Sequence, residues 1–100
     1  MVSTPTAGNK YETFGLTVKN LGSPNLSLGN PYFFKLKTAD GTIYQIDAAT
    51  FFGGNNPLSV VTNSQPGEKV TGNIVFQIPQ SAKPTTLTYD DYTNRVTINL

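Results

Sequence analysis

The side chains with which this chain could perform chemistry are carboxylates, because the sequence contains no histidine and no cysteine. Without those residues, Ser-His and Cys-His nucleophile pairs and the usual zinc and copper sites are excluded. A glycosidase would need two carboxylates that face each other about 5–9.5 Å apart. Asp90 and Asp91 are neighbours at the end of a predicted strand, where successive side chains point in opposite directions. We therefore predict that the protein is not an enzyme and that it has no catalytic or cofactor-binding residue.

Calcium binding is the alternative use of these carboxylates. Hard oxygen ligands could come from Asp47, Asp90, Asp91 and Asn94. Calcium takes six to eight oxygen ligands, and dedicated sites space their aspartates densely within one loop, a spacing that this chain lacks. The residues around Asp90 fit a solvated hairpin turn instead, in which Asp90 forms a surface ion pair with Arg95. We therefore predict no metal site.

Aromatic side chains are the remaining candidates for a site. Phe33 is out of phase with the inward-facing Phe34 of the same predicted strand, so we expect it to point away from the main core. Phe51 and Phe52 are adjacent, so we expect one ring to cover the end of the fold and the other to stay partly exposed. These rings are either scattered exposed apolar residues or a patch that contacts a partner. We take Phe33, Phe51 and Phe52 as the candidate partner-binding residues.

The elements that position these residues are predicted to be strands throughout, because no segment shows a helical period. Short runs of β-branched and aromatic residues are broken by Gly, Pro and Asn every eight to twelve residues or so, which is typical of a sandwich or barrel. We predict an all-β, immunoglobulin-like β-sandwich of about seven mostly antiparallel strands. The predicted strands are, approximately, residues 11–19, 31–38, 42–47, 58–61, 70–78, 85–90 and 95–100.

The turn between the second and third predicted strands can be derived from the pairing it imposes. A two-residue loop would place Leu36 opposite Gln45, which mixes core with surface on one face. A three-residue loop, Ala39-Asp40-Gly41, places Leu36 opposite Tyr44 instead. Such a loop ends with a residue in the left-handed region, where glycine is unstrained. We therefore predict that Gly41 has a positive φ.

The longest predicted strand follows Pro66-Gly67, which fits the central pair of a type II turn. Pro79 ends this strand because proline donates no backbone hydrogen bond. Its inward face is predicted to consist of alternate residues, namely Val70, Gly72, Ile74, Phe76 and Ile78.

The last two strands are predicted to form a hairpin. Matching their apolar faces places Leu87 opposite Ile98 and Tyr89 opposite Val96, with all four side chains facing inward. The most buried residues are then expected to be Phe76, Phe34, Leu36, Ile74 and Val96.

The composition limits the partners. One hundred residues make one domain, in which we expect residues 1–10 to be a flexible linker-like tail and residues 11–100 to fold. The net charge is +1 and the seven basic residues are scattered, so we predict no nucleic-acid partner. No apolar run approaches the roughly 18 residues of a membrane helix, so we predict no membrane insertion by this segment.

Export is expected from the low content of charged residues, 13% against about 25% in average proteins, and from the many Thr, Asn and Ser residues. We expect an extracellular or cell-surface location, with an anchor or signal upstream of this segment. Asn25-Leu26-Ser27 is a sequon for N-glycosylation in a predicted exposed loop.

Several of these features together resemble a known family. They are the strand end Val18-Lys19-Asn20, the hairpin Phe34-x-Leu36…Asp40-Gly41-x-x-Tyr44, the core Pro66-Gly67-Glu68-x-Val70-x-Gly72-x-x-x-Phe76-x-Ile78-Pro79, and Leu87-x-Tyr89. The pattern over residues 11–100 resembles uncharacterised secreted or lipid-anchored domains with an immunoglobulin-like fold, related to the mycobacterial immunoprotective extracellular protein. The resemblance implies export and this fold, and it implies no catalytic or binding residue. Soluble domains of archaeal surface-filament components have a similar β-sandwich build.

The function predicted from the sequence is therefore that of a non-enzymatic extracytoplasmic binding or adhesion module, which contacts a protein or cell-envelope partner. The alternative is a structural subunit or anchor of a cell-surface filament. An exposed sheet edge that pairs with a neighbour's strand would distinguish the two. A third class, an enzyme, would need a deep pocket with facing carboxylates.

Overall fold

The described strands of this protein form three antiparallel sheets, which make up an all-β sandwich, as predicted. The computed structural model describes residues 4–22, 26–51, 56–91 and 95–100. Within these ranges lie eight strands, one more than the predicted seven, and two short 3₁₀ helices. The strands are β1 (Asn9–Lys19), β2 (Leu26–Leu28), β3 (Phe34–Thr38), β4 (Ile43–Gln45), β5 (Val61–Ser64), β6 (Lys69–Pro79), β7 (Pro84–Asp90) and β8 (Arg95–Asn99), and the 3₁₀ helices are Pro31–Phe33 and Ala48–Phe51.

The strands are distributed over one long ribbon, one short ribbon and one four-stranded sheet. β1 pairs with β6 along its whole length, β2 pairs with β5, and the remaining strands form a sheet in the order β4-β3-β7-β8. The extra strand, β2, lies in a segment that the sequence predicted to be a loop. The local pattern did not indicate this strand, because it depends on a long-range pairing with β5. The strand predicted over residues 58–61 is displaced to β5. β1 begins at Asn9, two residues before its predicted start.

The turn before β6 has the predicted geometry. Gly67 has a φ of +93°, and the Glu68 amide donates to the Gln65 carbonyl over 3.0 Å, as a type II turn requires. The Glu68 carboxylate in turn accepts a hydrogen bond from the Gln65 amide over 2.9 Å. The Pro-Gly-Glu motif is therefore accounted for by the turn alone.

The hairpin between β3 and β4 confirms the predicted register. Leu36 pairs with Tyr44, and Gly41 has a φ of +89°. The Asp40 carboxylate accepts hydrogen bonds from the Thr38 hydroxyl over 2.6 Å and from the Thr42 amide over 3.0 Å. These bonds, led by that from Thr38, hold the pKa of Asp40 below its ordinary value.

The core lies between the β1–β6 ribbon and the four-stranded sheet. Four of the five residues expected to be most buried are buried, since Phe76, Leu36 and Ile74 are fully enclosed and Phe34 nearly so. The remaining core residues are Leu58, Ile78 and Leu87, with Phe14, Leu16, Val18, Tyr44, Ile46, Val70, Ala82 and Tyr89 packed around them. The inward face predicted for β6 is confirmed.

Val96 has the predicted pairing register, but the prediction that it is buried is wrong. Tyr89 pairs with Val96 and Leu87 with Ile98, as expected. Val96 is nevertheless 52% exposed and Ile98 is 42% exposed. β8 is the outermost strand of its sheet, and among the described residues the opposite layer covers its apolar face only in part.

A buried asparagine joins the end of β1 to two other segments. The Asn20 side-chain amide donates to the Ser64 carbonyl over 3.1 Å and to the Ser64 hydroxyl over 3.0 Å, and its side-chain oxygen accepts from the Gly22 amide. The Asn20 backbone exchanges hydrogen bonds with Gly67 and Glu68. Because buried polar groups are costly unless paired, this set of bonds gives the Val-x-Asn motif a structural role.

Candidate functional site

Two aromatic rings lie against each other on the surface of the protein. The ring centroids of Tyr32 and Phe51 are 5.9 Å apart, with an angle of 32° between the ring planes. Tyr32 is 67% exposed and Phe51 is 44% exposed. We call this pair the aromatic patch.

The first 3₁₀ helix positions Tyr32. Asn30 caps this helix, since its side-chain oxygen accepts the Tyr32 amide over 3.0 Å and its carbonyl accepts the Phe33 amide over 3.2 Å. Pro31 occupies the first helical turn, where its fixed φ is favourable and its missing amide hydrogen costs nothing. The sequence predicted a strand from Pro31 onward, and the Asn-Pro cap explains why the strand begins only at Phe34.

The second 3₁₀ helix positions Phe51 by a side-chain clamp on β6. The Asp47 carboxylate accepts the Ala49 amide over 2.8 Å at the start of this helix. The buried Thr50 hydroxyl donates to the Val75 carbonyl over 3.2 Å and accepts the Val75 amide over 3.0 Å. Phe51, the next residue, is thereby held at the surface beside a fixed backbone.

Two of the three residues selected from the sequence, Phe33 and Phe51, lie in the described ranges, and each has a ring contact with a tyrosine. Phe33 is half-buried, and its ring meets Tyr89 edge-on with centroids 6.1 Å apart. Phe51 contacts Tyr32 instead, and Phe52 lies outside the described residues. The sequence analysis missed Tyr32, although Asn30 followed by Pro31 is a signal for the start of a helical turn that would have found it.

A second apolar feature is a groove between β1 and β8. It has a volume of about 220 Å³ and adjoins a cavity of about 320 Å³. Its lining is mainly apolar and consists of Leu16, Val18, Phe34, Tyr89, Val96 and Ile98, together with Thr17 and Lys19. We call it the edge groove. Its side chains come from both layers of the sandwich, which do not close over β8.

Tyr89 lines both the edge groove and the adjoining cavity. Its hydroxyl donates to the Asp91 carboxylate over 2.9 Å, and its ring packs against Phe34 with centroids 5.1 Å apart. Burial, followed by the hydrogen bond to Asp91 and the negative charge of that group, raises the pKa of Tyr89 to about 12.

This shift predicts a loss of stability in alkaline solution. The raised pKa means that folding favours the protonated phenol, so the contribution is complete below about pH 10 and is lost as the pH rises to about 12. Its size is at most about 1 kcal/mol, because the phenol is only partly buried and water screens it. In urea unfolding, the stability difference between the parent and Tyr89→Phe should therefore shrink between pH 10 and 12. A difference that stays constant to pH 12 would contradict the assignment.

The carboxylates considered for calcium are engaged separately. Asp47 accepts hydrogen bonds from Ala49 and from the Gln77 side chain, whereas Asp91 accepts from Tyr89. Asp90 forms the expected ion pair with Arg95, at 3.6 Å. In the described ranges there is no group of three or more His, Cys, Asp or Glu side chains that could hold a metal ion. Asn94 and the sequon asparagine Asn25 lie outside those ranges.

Comparison with known proteins places the chain in a family. A family model described as a domain of unknown function, DUF4352, matches residues 2–97. The chain belongs to the DUF4352 family. No curated protein and no solved structure matches it significantly. In the described part of this DUF4352 domain, no helix is long and apolar enough to cross a membrane.

Proposed function

We propose that this DUF4352 domain is a non-enzymatic, extracytoplasmic binding or adhesion module that contacts a protein or cell-envelope partner. The observation that carries the proposal is the aromatic patch, in which Tyr32 and Phe51 present paired rings to solvent. Large, rigid aromatic side chains are the commonest anchors of protein interfaces. Loops held on a rigid β scaffold are also the usual place for binding residues.

The patch is supported by its fixed geometry. Binding costs free energy when side chains and loops must be ordered, so a site that is ordered beforehand binds more tightly. Here the Asn30 cap fixes the turn that carries Tyr32, and the Thr50–Val75 hydrogen bonds fix the turn that carries Phe51. The free protein therefore already holds the two rings as a pair.

The extracytoplasmic location is supported by composition and by motif. The chain has few charged residues and many Thr, Asn and Ser residues. The stretch from Pro66 to Pro79, which forms the turn before β6 and β6 itself, resembles the same stretch of secreted or lipid-anchored immunoglobulin-like domains. We therefore also propose that this domain is related to those secreted or lipid-anchored domains, including the mycobacterial immunoprotective extracellular protein.

Substitution of the exposed ring tests the proposal. Phe51→Ser should weaken binding of the purified, labelled domain to envelopes of the producing organism by at least tenfold, about 1.4 kcal/mol, because an anchor ring is lost. Its free energy of unfolding should stay within about 0.5 kcal/mol of the parent, since the ring is exposed. The matched control is Ile43→Ser, an exposed apolar residue of β4, which should bind like the parent. Equal binding by all three proteins would remove the patch as the site.

A structural subunit of a surface filament is the second candidate, and it is supported by the uncovered edge of β8. A filament requires contacts that repeat without closing. Open-ended polymers of the purified domain in sedimentation velocity would favour this candidate over the adhesion module.

A further inference from the structure

The free edge of β8 presents regularly spaced backbone hydrogen-bonding groups. The Leu100 amide donates to the Thr85 carbonyl over 2.9 Å, and β7 and β8 then continue in an unbroken antiparallel register. Alternate residues of an antiparallel pair bond to the partner strand, so Ile98 and Val96 also bond to β7. The backbone groups of Arg95, Thr97 and Asn99 therefore point away from β7, and β8 has no second partner strand among the described residues.

β8 lacks the devices that normally stop such an edge from pairing. Edge strands are usually blocked by lysine, proline, a bulge or a very short length. β8 has five residues, no lysine, no proline and no register shift against β7. β4, at the other edge of the same sheet, has only three residues, and β1 has charged residues at Lys10, Glu12 and Lys19.

The side chains of β8 alternate between apolar and polar, as in a strand that pairs with another strand along its free edge. Val96, Ile98 and Leu100 alternate on the side of the edge groove, and they are 52%, 42% and 54% exposed. Arg95, Thr97 and Asn99 alternate on the other side. The only charge on the strand is Arg95, at its first residue.

We propose that β8 pairs antiparallel with β8 of a second copy of this chain about a twofold axis at Thr97. The pairing joins two four-stranded sheets into one sheet. Each outward-pointing residue then forms a hydrogen-bonded pair, Thr97 with Thr97 of the second copy and Arg95 with Asn99 of the second copy. Val96 lies opposite Ile98 of the second copy on the groove side, which is a favourable pair of β-branched residues.

The length of β8 and the charge of Arg95 favour this register. An axis at Val96 or Ile98, one residue away, would pair only three of the five residues of β8. A twofold axis at Arg95 would place two arginines directly opposite each other, which is destabilising. A twofold axis at Asn99 would leave the first part of β8 unpaired. The axis at Thr97 pairs all five residues and sets each Arg95 against a neutral Asn99.

This dimer goes beyond the proposed function, because it uses a different surface from the aromatic patch. Neither Tyr32 nor Phe51 belongs to the β8 interface, so the dimer displays two patches. Two linked sites bind a surface more tightly than one through their effective concentration.

Sedimentation equilibrium over a range of concentrations tests the pairing. The parent should rise from the 10.8 kDa of one chain to twice that mass. Thr97→Lys places two lysines opposite each other at the axis and should weaken dimerisation at least tenfold. Mixing Thr97→Lys with Thr97→Glu should restore the dimer, since the charges then attract. The control Thr88→Glu lies beside Thr97 on β7 but inside the sheet and opposite Lys35, and it should dimerise like the parent.

A cysteine placed at the axis gives an independent readout. The chain contains no cysteine, so Thr97→Cys introduces a single thiol. Hydrogen-bonded antiparallel pairs have a Cα–Cα separation of about 5.5 Å, which a disulfide can span. Thr97→Cys should form a cross-linked dimer in a glutathione redox buffer, whereas Ile43→Cys on β4 should not. A parent that stays monomeric at its solubility limit, open polymers, or equal cross-linking of both cysteine variants would overturn the proposal.

Discussion

Replacing Phe76 by alanine should lower the free energy of unfolding by about 3–5 kcal/mol. Phe76 is fully buried in the middle of the core, and its ring meets that of Phe14 edge-on with centroids 5.9 Å apart. The substitution removes the contacts that the ring makes within the core and leaves a cavity. The paired strands β1 and β6 are too rigid to move in and fill it. Because small domains are stable by only about 5–15 kcal/mol, a loss of this size would leave little residual stability.

The measurement is urea unfolding followed by circular dichroism, with Leu21→Ala as the control. Leu21 is 86% exposed, so its truncation should change the stability by less than about 0.5 kcal/mol. A Phe76→Ala loss below about 1 kcal/mol would mean that the inward face of β6 is not the centre of the core.

Replacing Gly72 by alanine should cost about 3 kcal/mol, at the upper end of the range for overpacked sites. Pro57 forms a parallel bridge with Asn73 of β6 at this point, and hydrogen bonds of 2.9 Å link Asn73 to Asn56 and to Leu58. A Cβ at Gly72 would lie 2.6 Å from the Leu58 Cα and backbone nitrogen. The backbone would have to move, which would displace the fully buried Leu58 side chain and strain both hydrogen bonds.

Gly15→Ala on the neighbouring strand β1 is the matched control. A Cβ there would meet only the side-chain oxygen of Asn73, at 3.2 Å, and no backbone atom. Its stability should therefore stay within about 1 kcal/mol of the parent, since alanine also reduces the entropy lost on folding. If chemical denaturation gave equal losses of unfolding free energy for both variants, the close approach of the Leu58 backbone would not be the reason why position 72 requires glycine.

Local rules were sufficient to predict the hairpins of this fold from its sequence. Gly41, the pairing of Leu36 with Tyr44 and the register of β7 against β8 all follow from turn chemistry and from keeping apolar residues on one face. The exposure of Val96 was not predictable in this way. Alternation indicates which face a residue occupies but not whether another layer covers that face. β2 was missed for a related reason, since a three-residue strand is defined by a distant partner rather than by its own pattern.

The candidate site was only partly predictable. One exposed ring in the pair Phe51-Phe52 was expected, because two adjacent phenylalanines cannot easily both enter one core, but the sequence did not indicate which of the two. The contact of Phe51 with Tyr32 could not be derived, because it depends on two 3₁₀ helices that approach each other from segments 19 residues apart in the sequence. Phe33 was expected to face away from the core, and its contact with Tyr89 could not be read from its position one residue before β3.

Site-specific photo-cross-linking tests most directly whether the aromatic patch is the partner-binding surface. A benzophenone-bearing phenylalanine analogue replaces Tyr32 in one sample and Ile43 in another, and each domain is irradiated on envelopes of the producing organism. The proposal predicts a discrete cross-linked adduct from position 32, which excess unlabelled parent competes away, and none from position 43. Adducts of equal yield from both positions, or none from position 32 while the domain is bound, would contradict it.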